Sequence, residues 1–314
     1  MSEPIAQASA AGKAILFGEH AVVYGRPAIA VPVSQVRAVA TITPAPLGSG
    51  CILEMPDVGG QAAPTDDPTG HPLAYVAWLA LSVLDALPPP DWRITLRSTI
   101  PVASGLGSGA AAATAIVRAV AQALGRSLPP AQVSALVYES EKRFHGTPSG
   151  VDNTVIAFEQ PVWFVRGQPP QPFVIGRPFT LVIADTGVAS PTRITVGDVR
   201  RGWEADPPRY EALFDAIGGI VHAARRAIEA GDVAALGPLM DENQRLLQAL
   251  DVSSPELERL CAAARSAGAL GAKLSGGGRG GNMIALVTPD GAADVTAALE
   301  AAGARSTLIT AVGV

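Results

Sequence analysis

Apolar positions along the chain fall into short alternating runs near the start and longer helical spacings further on. Residues 4–17 alternate loosely and close on Ala14-Ile15-Leu16-Phe17, which predicts a strand broken by Gly18-Glu19-His20. Ala28 to Val33, after the turn signal Gly25-Arg26-Pro27, predicts a second strand, and Val36 to Thr43 a third. Pro44 to Pro72 is rich in Gly, Pro and Asp and reads as a long surface loop. A helix is expected from Leu73 to Leu87, where Pro88-Pro89-Pro90 stops it, then a strand from Trp92 to Ser98. Helices are expected over 110–124 and 131–143, and a loop-to-strand segment over 151–165. A strand over 179–185 precedes helices over 192–203, 208–230, 232–249 and 256–267. The remainder reads strand (272–274), glycine-rich loop, strand (283–287), helix (291–302) and strand (306–312). Strands and helices mix without strict βαβ alternation, so the fold class is α+β. A composition shift at Gly176-Arg177-Pro178 divides the chain into expected domains 1–176 and 177–314.

Composition narrows the function classes. The chain has 314 residues, 48% of them apolar and 16% charged, with a net charge of −5. That is ample for a sizeable core and rules out intrinsic disorder. Without a Lys/Arg run, a nucleic acid or an anionic membrane is not an expected partner. No run of 18 apolar residues offers a membrane span, and the first ten residues lack the basic and apolar parts of a secretory signal, so a cytoplasmic location is expected. Cys51 and Cys261 give neither a disulfide framework nor metal spacing. Of 23 basic residues only Lys13, Lys142 and Lys273 are lysines, and each stands in or beside a glycine-rich or acidic motif. A compact, tunable ammonium at those places draws attention to Lys13.

Four segments carry candidate chemistry. Pro101-Val102-Ala103-Ser104-Gly105-Leu106-Gly107-Ser108-Gly109-Ala110 joins a strand to an Ala-rich helix. Glycines turn the backbone tightly and the helix start adds its positive end, so the segment suits a phosphate cradle, with a plain tight turn as the bland alternative. It fits a relaxed dinucleotide fingerprint, but the first acid comes only at Glu139 and another helix follows, which disfavours an NAD site; a Walker-type loop is absent. Gly276-Gly277-Gly278-Arg279-Gly280-Gly281, between two apolar strands, suggests close backbone approach to a ligand. Arg279 could meet an anion or face solvent. Lys13 sits within an apolar strand that ends at Glu19-His20, where loop residues commonly carry function. Glu141, in a helix, precedes His145-Gly146-Thr147-Pro148-Ser149-Gly150-Val151-Asp152-Asn153; alone, Asp152 is as well explained as a turn or cap residue.

Together and in this order, the segments resemble the GHMP kinase superfamily, and within it the mevalonate kinase family. Lys13 to Gly25 is similar to the motif K-x-I-L-F-G-E-H-x-V-V-Y-G, and Pro101 to Ala111 to P-x-x-x-G-L-G-S-S-A-A. His145 to Asn153 is similar to H-G-x-P-S-G-x-D-N, and Lys273 to Gly281 to K-L-T-G-A-G-G-G-G. The resemblance covers residues 5 to 312. It implies a two-domain fold, the first domain like the second domain of ribosomal protein S5 and the second ferredoxin-like. It also implies ATP-dependent phosphorylation of the C5 hydroxyl of mevalonate, with Mg2+ as a further expectation; the sequence does not fix the oligomeric state, for which a homodimer is one expectation.

By carry-over, Asp152 is the base toward the hydroxyl, and Lys13 assists it and neutralises phosphoryl charge. Glu141 and Ser108 are the magnesium candidates. Pro101, Ser104, Gly105, Leu106, Gly107, Ser108, Gly109 and Ala110 would hold the ATP phosphates. Glu19, His20 and Thr192 lie on the substrate side, and Gly276, Gly277, Gly278 and Arg279 form the substrate and phosphate loop. Two departures stand out: Gly109 replaces the second serine of the phosphate loop, and Arg279 replaces a glycine. Either could signal a related kinase for phosphomevalonate or another hydroxy acid. A catalytically dead sensor is disfavoured, because Asp152, Lys13 and Glu141 are all present.

Overall fold

A computed structural model describes residues 3–67, 69–101, 105–145, 148–190 and 192–313, with residues 144 and 145 described in backbone only. In chain order the first elements are β1 (Ala6–Phe17), a 3-10 turn (Ala21–Tyr24), β2 (Ala28–Pro44), β3 (Ile52–Met55), β4 (Gly60–Ala62), α1 (Pro72–Val83) and β5 (Trp92–Ser98). Next come α2 (Ser108–Ala123), α3 (Pro130–His145), α4 (Val151–Phe158), β6 (Val162–Phe164), β7 (Gln171–Pro172) and β8 (Phe179–Asp185). Helices α5 (Thr192–Ala205), α6 (Pro207–Ala230), α7 (Val233–Ala249) and α8 (Pro255–Ser266) follow. The chain closes with β9 (Gly271–Ser275), β10 (Asn282–Val287), α9 (Ala292–Ala301) and β11 (Ser306–Val312). Strands and helices mix as the α+β reading expects.

These elements form two compact units. The first comprises residues 1–12, 36–101 and 107–159; the second comprises 13–35, 102–106 and 160–314. In the first unit β5 pairs antiparallel with β2 (Ala38 opposite Ser98, Pro44 opposite Trp92) and parallel with β3, which turns back on β4. Ile5 N donates to Ile42 O at 2.9 Å, laying the start of the chain along the far end of β2. Helix α2 is buried over most of its length, and its run of alanines lets α1, α3 and α4 pack around it. Glu159 closes α4 by accepting from Ala11 N at 3.3 Å, Arg37 at 3.0 Å and Arg118 at 2.8 Å.

The second unit is built on a four-stranded antiparallel sheet of order β11-β8-β10-β9. Helices α7 and α8 lie on β9, and α9 lies on β8 and β11. Leu181, Val182, Ala272, Leu274 and the β10 residues Met283 to Leu286 are fully buried, as a sheet covered by helices requires.

Three sequence expectations change. Val36 to Thr43 continues the strand begun at Ala28, so the expected second and third strands are one. Within the expected loop over 44–72, Cys51, Leu53 and Met55 are buried because β3 adds to β5, a regularity visible in their alternation. Residues 151–158 are helical, not loop: Asn153 Nδ2 donates to Ser134 O at 3.1 Å and to Ser134 Oγ at 2.8 Å, fastening α4 to α3.

Candidate active site

In the second unit, β1 carries Lys13 into the interior, where it is 3% exposed. Its backbone N donates to Leu106 O at 3.0 Å, so the glycine-rich segment after β5 ends against β1. Gly105 stands beside the end of β9, since a Cβ there would lie 3.9 Å from Ser275 O. Ser275 Oγ accepts from Ile15 N at 3.1 Å and donates to Ile15 O at 3.0 Å, which stitches β9 to β1 across 260 positions of sequence. Three motifs far apart in sequence therefore share one corner of this unit.

Just past β1, Glu19 and Lys273 form an ion pair, both side chains wholly buried. Lys273 Nζ also donates to Leu274 O at 2.7 Å. Burial pushes the Glu19 carboxyl up and the Lys273 ammonium down, and the attraction between the two opposes both effects. The next residue, His20, has φ 60° and places Nε2 3.0 Å from Gly277 O. Burial lowers its pKa to about 4, so the ring is neutral at pH 7. A neutral ring facing a carbonyl carries its proton on Nε2, which makes Nδ1 an acceptor; that atom is buried and has no hydrogen-bond partner among the described residues.

The loop from Gly276 to Gly281 is clasped from its other side by the segment entering α5. Gly281 N donates to Val188 O at 2.8 Å, and Ser190 Oγ donates to Gly278 O at 2.9 Å. The hydroxyl oxygens of Ser190 and Thr192 are 3.3 Å apart. The side chain of Thr192 fills the place a Cβ would take on Gly277, 2.5 Å from Oγ1. Gly278 has φ +76°, and a Cβ there would meet Val252 O at 2.0 Å, so glycine is required. Arg279, partly exposed, has its charge paired within the chain. Its guanidinium pairs with Asp198 and, at 2.9 Å, with Asp251.

In the first unit, Gly107 (φ 75°) turns the chain into α2, whose first turn has neither a side-chain cap nor an acidic residue. Ser108, Gly109 and Ala110 supply that turn, and Pro101 lies exposed before it. Amide groups at such a helix start attract anions. Ser104 lies outside the described residues. Glu141 is buried on α3. Asp152 stands in the first turn of α4, partly exposed, between the buried anchors Val151 and Asn153. The expected residues thus fall into two sets: Lys13, Glu19, His20, Gly105, Leu106, Thr192 and Gly276 to Arg279 in the second unit, and Pro101, Gly107 to Ala110, Glu141 and Asp152 in the first.

Sequence reasoning missed the parts played by Lys273, Ser190 and Asp198. The rarity of lysine was a usable signal for Lys273; nothing local distinguishes Asp198 from other helix-surface acids. Among the described residues, no three His, Cys, Asp or Glu side chains gather as a metal-binding group, and no helix is long and apolar enough to cross a membrane.

Residues 74–160 match the family model for the GHMP kinase N-terminal domain, and residues 224–305 match that for the GHMP kinase C-terminal domain. The mevalonate kinase of Pyrococcus horikoshii is 36% identical over 94% of this chain and 92% of its own. The chain belongs to the mevalonate kinase family of GHMP kinases. The mevalonate kinase of Aeropyrum pernix is also 36% identical, over 90% of this chain and 88% of its own. A crystal structure of L. major mevalonate kinase in complex with R-mevalonate superposes with a TM-score of 0.84 at 30% identity, covering 99% of this chain and 98% of that one. Streptococcus pneumoniae phosphomevalonate kinase shares the fold, with a TM-score of 0.81, at only 15% identity over 96% of this chain and 99% of its own.

Proposed function

We propose that this kinase transfers the γ-phosphoryl group of ATP to the C5 hydroxyl of mevalonate, giving 5-phosphomevalonate and ADP. The observation that carries the reading is the meeting of motifs in the second unit: His20 on Gly277, Thr192 in the Cβ space of Gly277, and Gly105 beside Ser275. The identity to curated mevalonate kinases over 94% of the chain supports the same substrate.

In this reading the hydroxyl oxygen bonds to the γ-phosphorus as the bond from that phosphorus to the β,γ-bridging oxygen breaks. Asp152 accepts the hydroxyl proton on its carboxylate, and ADP leaves with the bond's electrons. Lys13 neutralises charge on the transferring group. The amides from Gly105 to Ala110, with Pro101 and Ser104, hold the phosphates. His20, Thr192 and the backbone of Gly276 to Arg279 face the acceptor, and Nδ1 of the neutral His20 ring accepts a hydrogen bond from a substrate hydroxyl that stays protonated. Glu19, on the same side by its motif, is wholly buried against Lys273.

A kinase of this type uses a divalent cation with the nucleotide. The carboxylate of Glu141 and the hydroxyl of Ser108 are hard oxygen donors, and no richer ligand group is found among the described residues. That donor set fits Mg2+, which keeps water and phosphate oxygens as its other ligands. When bound it neutralises phosphate charge. Gly109 contributes only backbone.

The test is ADP release from purified protein with magnesium-ATP and a panel of mevalonate, phosphomevalonate, homoserine, galactose and shikimate. Turnover with mevalonate alone is expected. A panel silent for mevalonate overturns the proposal.

A further inference from the structure

The glycine loop of this chain contains one residue built unlike its neighbours. Arg279 holds the left-handed conformation at φ 53°, which a side-chain-bearing residue adopts only where surrounding contacts enforce it. Those contacts come from two directions. Its backbone N donates to Val252 O at 2.8 Å, and its guanidinium reaches Asp251 O at 2.9 Å and the Asp251 carboxylate at 2.9 Å, all in the turn between α7 and α8. The remaining nitrogen pairs with Asp198 on α5, six positions after Thr192. Thr192 in turn packs on Gly277, whose carbonyl meets His20.

We infer that Arg279 is a positioning residue, a latch that ties the glycine loop to α5 and so sets Thr192 and Gly277 for the acceptor. In this assignment the Arg279 side chain acts through Thr192 and Gly277, its guanidinium being engaged by Asp198 and Asp251. Its three acceptors use the guanidinium fork as an intramolecular tie, the bidentate geometry for which arginine suits better than lysine. The inference rests on the mevalonate kinase reading for what Thr192 faces, and on the contacts alone for the latch itself.

Four variants test it: Arg279→Gly, Asp198→Asn, the double variant, and Arg201→Ala, which removes only the other partner of Asp198. Each is measured by steady-state kinetics with mevalonate and by amide hydrogen exchange over residues 192–199. Arg279→Gly and Asp198→Asn are each expected to raise the KM for mevalonate about tenfold with kcat within about threefold. Both should speed exchange at the start of α5, and the double variant should be no worse than either single one. Arg201→Ala should behave as wild type. An Arg279 that bound substrate directly would give opposite signs, since Asp198→Asn would free it and lower KM; that result overturns the latch. So does unchanged KM and exchange in both variants, or a fall in unfolding midpoint with no change in KM. If wild type itself shows no turnover with mevalonate, the functional reading fails, and the exchange data alone decide the latch.

Discussion

Lys273 and Glu19 stand 254 positions apart and meet as an ion pair from which water is excluded on both sides. Such a pair adds little net stability relative to apolar residues of the same shape, but removing one partner strands the other charge in the interior. Lys273→Met is therefore expected to lower unfolding free energy by about 3–5 kcal/mol. The double variant Glu19→Leu with Lys273→Met should recover much of that loss. Urea unfolding of the three proteins checks both statements; a double variant as unstable as Lys273→Met contradicts the stranded-charge account.

His20 ties stability to acidity. Its pKa is about 4 in the folded protein and 6.5 ordinarily, so between those values the unfolded chain binds more protons. Stability consequently rises with pH through that window and is lost as pH falls from 6.5 toward 4, by up to about 3 kcal/mol from this ring. In His20→Gln the pH dependence of the unfolding midpoint should flatten over the same window. An unchanged slope would show that other groups account for acid sensitivity.

Asp152 offers the sharpest kinetic test. Asp152→Ala is expected to cut kcat at least about a thousandfold, near 4 kcal/mol of barrier. Val151 and Asn153 hold the helix, so the unfolding midpoint should stay close to wild type. Wild-type-like turnover removes Asp152 from the reaction.

Gly278 tests the close approach of its loop to the α7–α8 turn. With φ +76° and no room for a Cβ, Gly278→Ala should cost at least about 2 kcal/mol of stability, from strain and displaced backbone together. Thermal unfolding measures it. Gly268→Ala, also at positive φ but with open space around it, should cost less and separates strain from collision.

The motifs made the chemistry legible because phosphoryl transfer uses residue types that a strand or helix otherwise avoids: a lysine inside β1, a run of glycines between β9 and β10, an acid after a proline-glycine turn. Regular elements were legible where their period was clean, as in α6 and β8. What escaped was long-range. Helix α4 depends on Asn153 reaching Ser134, and β3 on finding β5, pairings that no local spacing encodes. Glu19 is expected on the substrate side from the likeness of its motif; that its carboxylate also pairs with Lys273 is a contact only the fold reveals.

The second unit takes in residues 13–35 and 102–106 as well as everything from 160 onward. No single break in the gene can therefore release it intact. A polypeptide starting at Arg177 would inherit the Lys273 ammonium without its carboxylate and the carbonyl of Gly277 without its imidazole. Expressed alone, it should emerge as an aggregation-prone remnant, so anyone dividing this enzyme for complementation assays will need the two pieces made together.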